Sequence, residues 1–478
     1  MSRAFLTLMV RMRSAPIQFR RLLIGCLLTA VSLALGIASA LTSGPERAQS
    51  ANAFVDSVGI NIHLHNADTS YSDFPRVQQA LQDLRVRHVR DGLIDTSWKP
   101  YYDRHNQLGR AGIKATFITS VDQSSPLLVD YPRRMKDSFE AYEAPNEYDR
   151  SPDEHWAATL RSFLARLNIA IKSDPAASRF PVIGPSLARS DSRAGLEGLC
   201  SFDFANLHNY FAGRNPGTAG WGADGYGSIS WNLSNVGAAC PGKPVITTET
   251  GYQTDAALPQ GIPEDVAAKY VPRAFLEQWL HGIQRTYLYE LIDLPSGRSA
   301  PDSAFGLLRH DYSSKPAYSA LKNLLRLLAD PGPAFVGQEL DFKLMGDLSD
   351  VHHLLLQKRT GVFYLALWVE EPSYDVSRKK ATPVPVRSIV VQNAGKVRIT
   401  QHSFDKSGDL RTAVIEPGVR HEVQVSDLVT ILEIDSRPVA SSARSSTMEL
   451  RIPVADGALS PELTNEPMFS PLGNTSTR

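Results

Sequence analysis

The sequence predicts an α/β fold: a (β/α)8 TIM barrel followed by a small C-terminal all-β sandwich. From residue 58 to about residue 327, short apolar runs alternate with helical patterns. Eight such runs over roughly 270 residues match the order and size of this barrel. The run Asp330-Pro331-Gly332-Pro333 breaks the pattern, and beyond it apolar residues recur at every second position, which is typical of antiparallel strands.

Each predicted strand or helix is a run whose apolar residues recur with the period of that element. The barrel strands are predicted at residues 58–64, 87–90, 113–119, 139–147, 180–187, 202–211, 245–250 and 286–293. Helical spacing of apolar residues is found at residues 77–84, 155–173, 266–281 and 317–328. Short strands of the sandwich are expected at residues 351–357, 362–368, 387–392, 396–402, 421–425 and 428–434.

The chain divides into four predicted parts. Residues 1–40 carry arginines, an apolar stretch and then Ala38-Ser39-Ala40, the pattern of a signal peptide, with an uncleaved membrane anchor as the alternative. Residues 53–330 form the barrel and residues 333–436 the sandwich. Residues 437–478, rich in Ser, Thr, Pro and Arg, are expected to be a largely disordered tail. We therefore expect a secreted or periplasmic protein, membrane-anchored if the signal is retained.

The charge balance limits the partners. The 478 residues include 50 Lys and Arg and 50 Asp and Glu, whereas nucleic acid or an anionic membrane needs a basic excess. We expect no nucleic-acid partner, no membrane contact beyond the signal or anchor, and a monomer. Nothing in the sequence requires a metal or an organic cofactor.

Two cysteines remain after the predicted signal, an even pair in an oxidising compartment. Cys200 and Cys240 each precede a predicted barrel strand. Neighbouring parallel strands would place both at the bottom of the barrel, and we predict a disulfide there.

Two glutamates lie at or next to the carboxyl ends of predicted strands. Glu147 ends the run at residues 139–147, and Glu249 lies in the run at residues 245–250. Because the carboxyl ends of barrel strands carry the chemistry of this fold, the two carboxylates are expected to face one site. Such a pair suits cleavage of a glycosidic bond, which needs one carboxyl as acid and another as nucleophile or base.

These residues resemble clan A of the glycoside hydrolases, in particular families 5, 30 and 39. Those retaining (β/α)8 enzymes carry an acid/base Glu after an Asn on strand four, as in Asn146-Glu147, and a nucleophilic Glu on strand seven, as Glu249. Supporting matches are the segment at residues 59–63, Arg90, the segment at residues 208–210, and those at 305–308 and 315–318. Tyr148 departs from the Pro that often follows the acid/base residue.

The resemblance implies a role for each residue. Glu249 would form a glycosyl-enzyme intermediate, and Glu147, with a raised pKa, would protonate the leaving oxygen. Arg90 would keep Glu249 ionised, although an ion pair with Glu143 is an equal alternative. Asn146 would donate to the sugar 2-hydroxyl.

Five further residues are candidate substrate contacts. His208 and Tyr210 share one face of a strand and would orient Glu249 and the sugar. Trp221 and Tyr252 are chosen among the loop aromatics as platforms on which a sugar stacks. Glu290 is placed to bind sugar hydroxyls. Together these features predict a retaining glycosidase acting on β-linkages of an extracellular or cell-envelope polysaccharide or oligosaccharide by double displacement.

Two alternatives remain open. His63 and His65, with His208 and Asp293, resemble the metal ligands of an amidohydrolase-like enzyme, but the predicted strands lack the Lys and the further His which that superfamily uses. A catalytically silent carbohydrate-binding protein on the same fold is the second alternative, against which the presence of both glutamates counts.

Overall fold

The computed structural model describes residues 43–222, 224–295 and 303–437. The predicted signal peptide and residues 438–478 of the predicted tail lie outside these ranges. Within them, no helix has the length and apolar character needed to cross a membrane.

Parallel strands and helices alternate along the first part of the chain. After β1 (Ser43–Arg47) and β2 (Gln49–Ser50), the barrel strands are β3 (Val58–Asn61), β4 (His88–Gly92), β5 (Lys114–Ile118), β6 (Phe139–Glu143), β7 (Val182–Ile183), β8 (Ala205–His208), β9 (Val245–Thr250) and β10 (Arg285–Leu288). The helices are α1 (Ala51–Asp56), α2 (Phe74–Leu84), α3 (Lys99–Arg110), α4 (Ser125–Arg134), α5 (Trp156–Ser173), α6 (Ile229–Ala239), α7 (Glu264–Leu280) and α8 (Pro316–Leu328). A 3-10 segment, Ser190–Leu196, stands between β7 and β8.

The strands form a parallel sheet in the order β7-β6-β5-β4-β3-β10-β9-β8. A parallel bridge between Ile183 and Phe204, the residue before β8, closes this sheet into a barrel. The interior of the barrel contains a small apolar cluster that includes Ile246 and Tyr287. Gly59 makes room for it, since a Cβ there would lie 2.4 Å from the ring of Tyr287. The predicted (β/α)8 barrel is confirmed.

The helices cover the barrel with one apolar face. In α8, Leu321, Leu324, Leu325 and Leu328 are all fully buried, at the spacing that puts residues on one side of a helix. Pro316 opens this helix, where its missing N–H leaves no donor unsatisfied.

The second part of the chain is antiparallel β-structure, as predicted. Its strands are β11 (Glu339–Gly346), β12 (Val351–Gln357), β13 (Phe363–Val369), β14 (Tyr374–Asp375), β15 (Lys380–Ala381), β16 (Arg387–Phe404), β17 (Leu410–Val425) and β18 (Thr430–Asp435). The main sheet has the order β1-β11-β16-β18-β13-β12-β2, with β17 paired to β16, around its own apolar core.

Several strands have other bounds than predicted; for example, only Val182–Ile183 of the strand predicted at residues 180–187 forms β7, and β11 is not among the predicted strands. Two further differences concern pairing. The strands expected at residues 387–392 and 396–402 are one strand, β16, because the register with β17 shifts between Gln392 and Val397 and absorbs the intervening residues without a turn. In addition, β1 and β2, which precede the barrel in sequence, pair with β11 and β12 of this sheet.

Candidate active site

Glu147 lies just beyond a barrel strand. The prediction that the strand extends to Glu147 is wrong: β6 ends at Glu143, and the last ladder bond is from Ala144 N to Ile183 O. Pro145 has no N–H to continue the ladder, so the chain turns away. Glu147 then adopts a left-handed backbone with φ of 41°. This turn brings one of its carboxylate oxygens within 4.8 Å of one of Glu249.

Glu249 stands on β9 with both oxygens occupied. Arg90 Nη1 donates to Oε1 at 2.6 Å, and the Tyr210 hydroxyl donates to Oε2 at 2.9 Å. Burial works to raise the pKa of Glu249, but the charges of His208 and Arg90 outweigh it, so the pKa is lowered. The side chain is therefore held as a carboxylate, the form that a nucleophile requires.

Arg90 is the charged centre of the site. Its guanidinium is 2% exposed and donates to both oxygens of Glu143, at 2.6 and 2.9 Å. It also donates to Asn146 Oδ1 at 2.6 Å. The two roles predicted as alternatives, an ion pair with Glu143 and contact with Glu249, are thus both present. Since burial opposes its charge but the two carboxylates favour it more, the pKa of Arg90 is raised.

Glu147 is paired with a histidine. Its Oε1 lies 2.8 Å from His208 Nδ1, and its Oε2 lies 3.2 Å from Arg150 Nη1. Burial works to raise the pKa of Glu147, but the hydrogen bond and charge of His208, with a smaller effect of Arg150, lower it to about 2. The expectation of a raised pKa is therefore wrong for this arrangement, because it did not take into account the contact between His208 and Glu147.

A chain of hydrogen bonds determines which ring nitrogen of His208 donates to Thr248. The Thr248 hydroxyl donates to an acceptor, either Glu143 Oε1 at 2.9 Å or Asn206 Oδ1 at 2.8 Å. Its oxygen must then accept from His208 Nε2, 3.1 Å away, so Nε2 carries a proton. The 2.8 Å contact between His208 Nδ1 and Glu147 Oε1 is the second hydrogen bond of the ring and a path along which a proton can pass between the two side chains.

Sequence reasoning assigned no role to Asn206 or Thr248. Asn206 lies two residues before His208 on β8, so the alternation of side chains along a strand already places both on one face. Asn206 also donates to Glu143 Oε1 at 3.0 Å. The interior of the barrel top is thus one connected polar network.

The other predicted contacts are distributed around the site. Asn146 lies beside Arg90 and lines the open cleft above the two glutamates. Tyr252 also lines it but is only 4% exposed and stacks on Phe211 at a centroid distance of 6.0 Å. Trp221 lies outside the cleft, in the wall of a neighbouring cavity, with Arg214 over its ring at 4.4 Å.

Glu290 is fully buried beneath the site rather than open to it. It accepts from the Tyr71 hydroxyl at 3.1 Å, and its Oε2 lies 3.0 Å from His63 Nε2. Burial raises the pKa of Glu290. His63 itself lines the cleft, so Glu290 is connected to the cleft only through its contact with His63.

The proposed amidohydrolase-like ligand set is not assembled. Ligand atoms of His63, His65 and Asp91 lie within 4.8 Å of one another, a spacing that an ion could use. His208 belongs instead to the group with Glu147 and Glu249. The fourth predicted ligand, Asp293, pairs with Lys315 Nζ at 2.7 Å. Both oxygens of Asp91 are already bound, Oδ1 to His65 at 3.0 Å and Oδ2 to the Leu64 N–H at 3.0 Å.

The site opens into a cleft of about 990 Å³. Side chains from the ends of several barrel strands and the loops after them line it, including Arg90, Asn146, Glu147, Glu249 and Phe305. At the opposite, amino-terminal end of the strands, Cys200 and Cys240 form the predicted disulfide.

No protein-family model and no curated protein matches the sequence. Solved structures do resemble this one. A family 39 glycoside hydrolase from Bacteroides cellulosilyticus WH2 aligns with a TM-score of 0.56 and 15% identity over 80% of this chain and 82% of that chain. A glucosidase from Croceicoccus marinus aligns with a TM-score of 0.54 and 12% identity over 83% and 98%.

A monomeric β-xylosidase from Caulobacter crescentus CB15 aligns with a TM-score of 0.51 and 16% identity over 83% of this chain and 98% of that chain. At such identities the likeness concerns the fold. The resemblance drawn from the residues alone is thereby confirmed at the level of the fold, which this chain shares with a solved family 39 glycoside hydrolase.

Proposed function

We propose that the protein is a retaining glycoside hydrolase that cleaves β-linkages of an extracellular or cell-envelope polysaccharide or oligosaccharide. The observation that carries the proposal is the approach of Glu147 and Glu249 to within 4.8 Å between carboxylate oxygens. Retaining enzymes hold their two carboxyl groups about 5–5.5 Å apart, whereas inverting ones need about 6.5–9.5 Å for a water molecule.

In the first step, Glu249 attacks the anomeric carbon while the bond to the leaving oxygen breaks. Tyr210 and Arg90, at 2.9 and 2.6 Å, aim the two oxygens of Glu249 and keep it ionised. The leaving oxygen takes its electron pair and a proton from Glu147. His208 Nδ1 supplies that proton to Glu147 across their 2.8 Å contact.

In the second step, water attacks the glycosyl-enzyme ester from the side of Glu147. Glu147 takes a proton from this water, Glu249 leaves as a carboxylate, and the sugar is released with its original anomeric configuration. Asn146, fixed by Arg90 at 2.6 Å, is placed to donate its amide N–H to the sugar 2-hydroxyl in both steps.

The substrate and location are further parts of the proposal. Two structural relatives are named a glucosidase and a β-xylosidase, so β-glucosides and β-xylosides are the first substrates to test. A signal-like N-terminus and the disulfide between Cys200 and Cys240 support export from the cytoplasm. We also propose a monomer.

The test uses the chain without its predicted signal and a panel of aryl β-glycosides. Proton NMR should detect the β-anomer as the first product. Glu249→Ala should reduce kcat/KM at least about a thousandfold. With azide present, Glu249→Ala should form an α-glycosyl azide and Glu147→Ala a β-glycosyl azide, because each vacated face admits the anion. The exposed Glu154→Ala serves as the matched control.

An α-anomer as first product would contradict the retaining mechanism. Glycan binding without hydrolysis of any glycoside would favour the silent carbohydrate-binding alternative. Activity that is lost on chelation and restored by zinc would favour the metal-dependent alternative, whose candidate ligands are His63 and His65.

A further inference from the structure

A second cavity, of about 230 Å³, lies next to the cleft. Besides Glu147, its lining residues lie between residues 185 and 210, which include β8 and the segment before it, and between residues 221 and 235, which include the start of α6. The two spaces share Glu147, Ala188 and Tyr210. Glu147 therefore stands at the junction between them.

The residues that line each space indicate which part of the substrate binds there. Arg90, Asn146 and Glu249 line the cleft but are absent from the described residues that line the second cavity. The sugar under attack must contact Glu249, so it occupies the cleft. The group on the far side of the scissile oxygen must pass Glu147, which protonates that oxygen, and the second cavity begins there.

Part of the wall of this cavity is apolar. It consists of side chains that are mostly buried: Leu187, Leu196, Leu199, Phe202 and Leu207. Asn206 and His208 also line the cavity and are hydrogen-bonded to Glu143 and Glu147. Hydroxyl groups placed against the apolar part of the wall would lack partners, which costs free energy, whereas alkyl or aryl groups would be removed from water.

Several polar side chains of the lining already have hydrogen-bond partners. Arg193 Nη1 donates to Asn235 Oδ1 at 2.5 Å, and Asn232 Nδ2 donates to Asn209 Oδ1 at 2.6 Å. These groups therefore offer a sugar fewer hydrogen bonds than their number suggests. The space is also large enough for an apolar group, since a cavity of about 150 Å³ lined by Leu, Ile and Phe accommodates benzene.

We propose that the second cavity binds an apolar, non-sugar leaving group, an alkyl or aryl aglycone, and this inference rests on the proposed glycosidase function. In the reaction the bond from the anomeric carbon to the aglycone oxygen breaks, and the oxygen keeps the electron pair. It gains the proton of Glu147, and the aglycone departs as an alcohol or phenol.

The test compares octyl and methyl β-D-glucosides, and octyl and methyl β-D-xylosides, as substrates. Both aglycones leave as primary alcohols, so the chemical step is matched and only the apolar chain differs. Each methylene that enters the cavity is expected to raise kcat/KM by up to about fourfold. The octyl glycoside should therefore exceed the methyl glycoside at least tenfold, and should also exceed the corresponding disaccharide.

Two variants fill the cavity, Leu196→Phe and Leu199→Phe, so that one can replace the other if folding fails. Each should reduce the ratio of octyl to methyl kcat/KM about tenfold. Ile169→Phe, on the 69% exposed face of α5, makes the same change away from the cavity and should leave the ratio unaltered. Melting temperatures establish that the variants are folded.

Equal hydrolysis of octyl and methyl glycosides by the native protein would overturn the inference while leaving the glycosidase function intact. So would preference for the disaccharide, or an unchanged ratio in both folded variants. If no glycoside is hydrolysed, the proposed function fails, and calorimetry then tests the cavity directly. Tighter binding of octyl than methyl glycoside, lost in Leu196→Phe, would support an apolar site; equal binding would refute it.

Discussion

Replacement of Arg90 by methionine should destabilise the whole protein as well as the site. The guanidinium is 2% exposed and donates to Glu143 at 2.6 and 2.9 Å, to Glu249 at 2.6 Å, to Asn61 at 2.8 Å and to Asn146 at 2.6 Å. The methionine side chain is of similar length but has no hydrogen-bond donor. Arg90→Met would therefore leave two buried carboxylates without their cation.

The size of the effect follows from that environment. Removing one partner of a buried ion pair costs about 3–5 kcal/mol, a large part of the roughly 5–15 kcal/mol that stabilises a typical domain. The effect should also depend on pH. In the native protein the pKa of Glu249 is lowered from 4.5, so its contribution is present above pH 4.5 and is lost as pH falls further. In Arg90→Met the carboxyl of Glu249 loses the charge of Arg90, so its pKa should rise and its protonation at low pH should reduce the loss of stability.

Urea unfolding followed by tryptophan fluorescence at pH 7 and at pH 4 measures both effects. We expect the free energy of unfolding to fall by about 3–5 kcal/mol at pH 7 and by less at pH 4. Arg110→Met, whose side chain is 61% exposed beside Asp137, should change it by less than about 1 kcal/mol. A loss below about 1 kcal/mol at pH 7, or an equal loss at both pH values, would refute the reasoning.

Three further predictions concern the site and the disulfide. Tyr210→Phe removes a donor that lowers the pKa of Glu249, so the acid limb of kcat/KM against pH should move to higher pH; an unmoved limb would exclude this role. Asn146→Ala should reduce kcat/KM roughly a hundredfold on ordinary glycosides but far less on 2-deoxy glycosides, and equal losses would contradict the 2-hydroxyl contact. Opening the loop of 40 residues by the double change Cys200→Ser and Cys240→Ser should lower the free energy of unfolding by up to about 4 kcal/mol in urea titrations, with unchanged stability as the contrary result.

The sequence indicated those features that depend on local pattern. The apolar runs predict β9 at the observed residues, Val245–Thr250, because alternation within six residues is enough to identify a strand. Motif spacing placed Glu249, Arg90 and His208 on three strands of one barrel. The fold then requires their carboxyl ends to meet at one face. The pairing of Cys200 with Cys240 followed from the same topology.

Tertiary structure decided what depends on contacts between distant segments. Arg47 donates to Gly337 O, 290 residues further along the chain, because β1 joins a sheet most of whose strands follow the barrel. No local periodicity encodes such a pairing. The 2.8 Å contact between His208 and Glu147 likewise depends on the turn after Pro145.

The same holds for the second cavity. Its wall combines residues of β8, the preceding segment and the start of α6. The sequence by itself therefore determined the barrel, its β-domain and the candidate carboxylate pair, since strand and helix periods and strand-end motifs are local. The hydrogen bond between Glu147 and His208 and the partly apolar cavity beside them were decided only by tertiary packing, because both arise where segments far apart in sequence meet.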